Sequence, residues 1–186
     1  MTEPDPFGRV DRDRPTVVVA GNGMVGEQLA DIGVESVVGV DILPEAAEAT
    51  LRDRPGVYSD YRVVDLTDVP PVDDAFFSHA GFNCMTSVAA LGFGDIPPEA
   101  FARAYNYIED KGLVAFTIKE NFVSETDPTG FNLLIRRMLD EGILDQPLAE
   151  HRYRHRLAVS GDPLYYLAYV AEKTADVPEN WLAPAA

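Results

Sequence analysis

The stretch VVVAGNGMVGEQLADIGVESVVGVD, ending at Asp41, constrains the fold more than any other part of the chain. A β-branched run over 16–20 opens it, and stiff branched side chains suit a pleated strand better than a helix. The run is apolar without alternation, the pattern of a strand buried on both faces. Gly21, Gly23 and Gly26 follow at G-x-G-x-x-G spacing. Val25, Leu29 and Ile32 then fall at i, i+4 and i+7, one stripe of a helix over 24–32 that Gly33 is placed to cap. A second buried strand over 36–40 ends at Asp41, 20 residues after Gly21. Strand, glycine loop, helix and strand make a βαβ unit, whose two strands must run parallel. The same order is a nucleotide-binding fingerprint: glycines let the backbone approach a ligand, and an acid stands ready for a ribose.

The rest of the chain extends this alternation. Pro44 suits the first turn of a helix over 44–54. A third strand is expected over 57–64, ending at Asp65. A fourth is expected over 74–79, after a proline-rich turn, ending at His79. Phe101, Ala104, Tyr105 and Ile108 share one face of a helix over 97–110, and 113–118 reads as a fifth strand. Phe131, Leu134, Ile135, Met138 and Leu139 line a stripe of a helix over 130–141. Then the pattern changes. The runs 151–157 and 164–172 are extended and separated by AVSGDP, whose Ser-Gly-Asp-Pro is a turn signal, so they form a hairpin. The order predicts an α/β fold: a doubly wound, mostly parallel seven-stranded sheet with an antiparallel C-terminal hairpin. Residues 1–15 read as a leader, 16–173 as one domain and 174–186 as a tail.

At 186 residues the chain has room for one such domain. A formal net charge of −16 repels polyanions, so neither nucleic acid nor an acidic membrane is an expected partner. No apolar run nears the ~20 residues of a membrane span. MTEPDPFGRVDRDRP lacks an apolar signal region, so a cytoplasmic location is expected. The one cysteine, Cys84, excludes an internal disulfide. It has no paired His or acid nearby in sequence to make it a nucleophile. His151 and His155 would share a strand face with Tyr153, about 13 Å apart at ~3.3 Å per residue, too far to hold one metal ion. No metal-ligand spacing appears elsewhere. The last helix and the hairpin offer apolar and aromatic surface that could pair two copies in a homodimer.

Three segments carry a family resemblance. VVVAGNGMVGEQLADIGVESVVGVDILPEAAEAT is strand, glycine loop, helix, strand and acid. YRVVDLTD is a third strand ending in Asp-Leu. ALGFGDIPPEAFARAYNYIEDKGLVAFTIKENF is a helix running through a turn into the fifth strand. In this order, with the hairpin after them, they resemble class I S-adenosylmethionine-dependent methyltransferases over about residues 16–173. Within that superfamily they are similar to small proteins related to the Williams–Beuren syndrome region methyltransferase. The resemblance implies S-adenosyl-L-methionine as cofactor and methyl transfer to a small-molecule acceptor. It implies that the backbone of Gly21, Asn22 and Gly23 lies against the methionine moiety, and that Asp41 accepts hydrogen bonds from the ribose hydroxyls. A carboxylate suits that role because it only accepts, and its bonds are charge-assisted. Ile42 would pack on the adenine, and Asp65 with Leu66 would take the adenine amino group. His79 would sit by the transferred methyl as a base. Phe82, Asn83, Phe93, Lys119 and Tyr166 would face the acceptor.

Two other readings stay open at this point. Met24 follows Gly23 directly, so the loop is shorter than the family's usual one. A tight loop brings a helix N-terminus close to the ligand, which suits the pyrophosphate of an NAD(P)-dependent oxidoreductase. The missing second mononucleotide half and the terminal hairpin count against it. The other reading is a methyltransferase fold that has lost methyl transfer and binds or converts another small metabolite. The segment 81–90, GFNCMTSVAA, reads as a long polar link after the fourth strand that lines a pocket.

Overall fold

The computed structural model describes residues 12–19, 21–92 and 95–181. Its centre is β1 (Thr16–Val19), a four-residue strand with every residue buried. β1 pairs in parallel with β2 (Val37–Asp41) on one edge and with β4 (Phe82–Leu91) on the other. β3 (Asp60–Val63) adds to β2 and β5 (Ile108–Lys119) to β4, both in parallel. β7 (Pro163–Glu172) runs antiparallel to β5, and β6 (Ala149–Leu157) antiparallel to β7. The seven-stranded order is β3-β2-β1-β4-β5-β7-β6, the expected parallel sheet with its closing hairpin.

Helices cover both faces, as two-sided burial of a parallel sheet requires. On one face α1 (Met24–Asp31) sets Leu29 against Val18 and Val37. α2 (Pro44–Asp53) carries the predicted proline in its first turn. The other face holds the main core. There α3 (Pro71–His79), α4 (Pro98–Asn106) and α5 (Phe131–Asp140) bring Phe77, Phe101 and Phe131 against Val17, Val19 and Phe116. The Phe101 ring meets Phe116 and Phe131 edge-on, with centroids 5.3 and 5.9 Å away.

One element is displaced from its expected place. The segment 74–79 is not a strand: it is the body of α3. Pro71 starts the helix, and Asp73 and Asp74 in its first turn complement the helix dipole. Phe77 turns into the core, and the Tyr107 hydroxyl donates to Asp74 Oδ1 at 2.6 Å. The fourth strand is the next segment, which reads in sequence as a polar link. Its Asn83, Thr86 and Ser87 are buried because β4 lies between β1 and β5 with both faces covered. A strand buried on both faces shows no alternation, and polar side chains hide its apolar run. The boundary after α4 moves with it: Ile108 belongs to β5, not to the helix.

Asp176, Val177 and Trp181, beyond the expected domain end, pack on it. The Lys173 ammonium is buried and donates to the carbonyls of Asn106 and Ile108, with Asp176 as its ion-pair partner. Val177 is buried and exchanges two hydrogen bonds with the Asn106 side chain, at 2.8 and 2.9 Å. Arg137 stacks over Trp181 at 3.7 Å from the ring centroid.

α3 is held chiefly by Phe77, which is 1% exposed and lies 5.1 Å from the Tyr107 ring. Phe77→Ala should therefore lower unfolding stability by about 3–5 kcal/mol in urea titration. A loss below about 1 kcal/mol would mean that α3 does not close this core.

Candidate active site

The chain leaves β1 toward β2 and β3, then returns to place β4 and β5 on the opposite edge. That reversal opens a crevice beyond the carboxyl ends of the strands, the general ligand position in open α/β sheets. Its volume is about 590 Å³. Val19, Val40 and Val64 give it an apolar floor. Gly21, Asp41, Ile42, Asp65 and Leu66 line one side. Ala89, Ala90, Asp95, Ile96 and Pro97 line the other.

Asp41 organises the first side. Its Oδ2 accepts the Gly21 N–H at 2.8 Å and its Oδ1 the Leu43 N–H at 2.9 Å. The carboxylate thus ties the end of β2 to the glycine loop, and each oxygen keeps acceptor capacity for a ligand. Ile42 is apolar yet 56% exposed, so it offers a flat hydrophobic contact at the crevice rim. Asp65 accepts the backbone N–H and the hydroxyl of Thr67 through one oxygen, Oδ1, at 2.8 and 2.7 Å. The Thr67 hydroxyl, then its N–H, hold the Asp65 carboxyl below its ordinary range. Asp65 therefore stays a charged acceptor.

The loop is as short as the sequence indicates, for α1 begins at Met24 with Gly23 as its N-cap. Gly21 and Gly23 take φ of 113° and 91°, a region that favours glycine. Two side chains absent from the sequence expectations clamp this loop from outside. The Tyr61 hydroxyl donates to Gly21 O at 2.9 Å, and Arg54 donates to Asn22 O at 3.1 Å. Tyr61 reaches the loop by lying across Gly39 of the neighbouring strand, where a Cβ would come within 2.6 Å of its ring. Burial, with Asp41 close by, raises the Tyr61 phenol well above its ordinary value and keeps it a neutral donor. A lone glycine amid the valines of β2, in register with an aromatic residue, was the available signal.

On the second side β4 bulges. Its register jumps from Ser87 opposite Phe116 to Leu91 opposite Ile118, so three residues of β4 face Thr117 alone. Ala89 adopts φ 56° and its N–H donates to Thr117 Oγ1 at 2.7 Å. Bulges re-aim a strand end, and here the bulge turns Ala89 and Ala90 into the crevice.

The expected acceptor-side residues are distributed differently. His79 ends α3, where it is exposed, and its Nδ1 lies 2.7 Å from the Ala75 carbonyl. It sits just before the amino end of β4, on the order of 20 Å from the crevice at ~3.3 Å per residue. It does not line the crevice. Phe82 and Asn83 also belong to that far end: Phe82 is fully buried, and the Asn83 N–H donates to Pro15 O at 3.2 Å. Lys119 and Tyr166 are paired in register at the carboxyl end of β5, outside the crevice lining. Tyr166 is 3% exposed, with its ring 4.4 Å from that of His155. Phe93 lies outside the described residues. Cys84 is buried, and burial pushes its thiol up to about 12, which keeps it unreactive. Among the described residues no group of His, Cys, Asp and Glu suits a metal ion, and no helix is long and apolar enough to cross a membrane.

No family model and no curated protein matches the sequence. Solved structures do match the fold. A S-adenosylmethionine-dependent methyltransferase from Methanosarcina mazei superposes with a TM-score of 0.64 at 14% identity, covering 93% of this chain and 98% of that one. A putative sarcosine dimethylglycine methyltransferase from Galdieria sulphuraria gives 0.63 at 12% identity, covering 92% and 82%. The N-methyltransferase NodS from Bradyrhizobium japonicum gives 0.59 at 12% identity, covering 92% and 99%. The fold is thus the Rossmann-like methyltransferase fold, with its antiparallel strands at the C-terminus.

Tyr61→Phe removes one hydroxyl and leaves the ring over Gly39. It should lower stability by about 0.5–1.5 kcal/mol, the value of one hydrogen bond. Amide exchange at Gly21–Gly23 should quicken while exchange in β5 stays as it was. Unchanged exchange at the loop would show that Tyr61 does not hold it.

Proposed function

We propose that this protein binds S-adenosyl-L-methionine in the crevice and that its activity is methyl transfer to a small-molecule acceptor. The observation that carries this reading is the charge of the crevice. Its lining includes three carboxylates, Asp41, Asp65 and Asp95, and no Lys, Arg or His among the described residues. The sulfonium of S-adenosylmethionine is a cation and gains from such a lining. A pyrophosphate is an anion and would be repelled by it, which argues against the NAD(P) reading despite the glycine spacing.

The residues fit the group in shape as well. A 590 Å³ crevice lies in the ~300–1,000 Å³ range of small-molecule sites. Asp41 is the ribose acceptor in this reading, Ile42 packs on the adenine, and Asp65 beside Leu66 accepts from the adenine amino group. Gly21, where a Cβ would meet nothing within 4 Å, leaves room for the methionine moiety against bare backbone, whereas the space at Gly23 is closed by Thr50, Arg54 and Val57 and neither Asn22 nor Gly23 lines the crevice. The bound cofactor supplies an electrophilic methyl carbon. The chain's part is to bind and orient, because in-line proximity is the chief requirement of such a transfer.

One observation favours a second reading, in which the crevice holds an adenosyl compound without transferring a methyl group. Gly21 N, Gly21 O and Asn22 O are all engaged within the protein, which leaves the loop few groups for an amino-acid tail.

Calorimetric titration with S-adenosylmethionine, S-adenosylhomocysteine, adenosine, NAD and NADP separates these readings. S-adenosyl ligands should bind, and at 100-fold above the dissociation constant they should add ~2.7 kcal/mol of stability. Asp41→Ala should abolish the response. Binding of adenosine as tight as that of S-adenosylmethionine would favour the second reading, and a response to NADP alone would sink both.

A further inference from the structure

Among the described residues Asp95 is the one ionisable side chain lining the side of the crevice opposite Asp41; the lining around it is Ala89, Ala90, Ile96, Pro97 and Ala100. The Asp95 N–H donates to Gly92 O at 3.0 Å, and Gly92 N–H donates to Ile96 O at 3.2 Å, closing a turn directly after the β4 bulge. Pro97 and Pro98 follow, and their fixed φ angles lock the entry into α4. An exposed carboxylate thus stands on the side of the crevice opposite Asp41.

From this geometry we infer that the acceptor is an amine, whose nitrogen is met by the Asp95 carboxylate. This inference rests on the methyltransferase reading above and names its substrate class. The charge balance of the transfer decides between acceptor types. The lone pair of a neutral amine nitrogen forms the new N–C bond while the C–S bond breaks with its pair on sulfur. Positive charge moves from sulfur to nitrogen, and the methylated ammonium then releases its proton to solvent. A carboxylate at the nitrogen favours the arriving charge and accepts an N–H bond. A phenolate or carboxylate acceptor would instead bring a second anion against Asp95, which like-charge repulsion disfavours.

Three ring compounds that differ in head group test this: benzylamine, phenol and benzoate, each titrated by calorimetry into protein saturated with S-adenosylhomocysteine. Benzylamine should bind at least tenfold more tightly than benzoate or phenol. Asp95→Asn should weaken benzylamine about tenfold, the value of a hydrogen bond to a charged group. Affinity for S-adenosylhomocysteine, which lacks the sulfonium charge, should fall much less than that for benzylamine. Asp95→Lys should reverse the preference toward benzoate. With S-adenosylmethionine present, benzylamine should be methylated and benzoate should not. Equal or reversed preference in the wild type, an unchanged benzylamine affinity in Asp95→Asn, or no binding of benzylamine overturns the inference. Failure of the wild type to bind S-adenosylhomocysteine would remove the methyltransferase reading itself, a separable outcome.

Discussion

Everything in this molecule is arranged around a four-residue strand that is hydrogen-bonded on both edges. Because β1 accepts β2 on one side and β4 on the other, the chain must run outward twice in one direction and then cross back. The reversal leaves a gap above the sheet that no connection fills. The crevice is therefore a consequence of strand order, and its lining is whatever side chains end those strands. Gly21, Asp41, Asp65 and Ala89 meet there because they lie at or just beyond the carboxyl ends of four neighbouring strands, Ala89 at the bulge of β4.

The loop above β1 is held by polar contacts from its neighbours. Asp41 takes its N–H, Tyr61 its carbonyl and Arg54 the carbonyl of the next residue. Such a clamp pre-sets the backbone before a ligand arrives, so little ordering remains to be done on binding. It also satisfies main-chain groups that a ligand could otherwise use. The three carboxylates then set the sign of the charge the crevice receives.

Legibility followed local periodicity. The βαβ unit through Asp41, the long stripe of α5 and the terminal hairpin were all readable, since each repeats with the period of its own element. The pair α3 and β4 was not. Asp74–His79 carries apolar neighbours that read as a strand, but Pro71 and the two first-turn acids place it in a helix. Phe82–Leu91 carries Asn83, Thr86 and Ser87, and its strand character comes from pairing with β1 and β5. That exchange changed which residues line the second side of the crevice. His79 lost its expected place, and Ala89, Ala90 and Asp95 took it. The clamp residue Tyr61 was equally hidden, because its partner Gly21 is 40 positions away.

The sequence by itself determined the alternation of elements, the parallel sense of the first strands and the pairing of glycine loop with acid. These follow from side-chain periodicity and backbone preference, which act over a few residues. Only the tertiary structure decided which segment is the fourth strand, which side chains close the crevice and what charge they bring to it. Those depend on contacts between residues far apart in the chain, where the burial that overrides local propensity is settled.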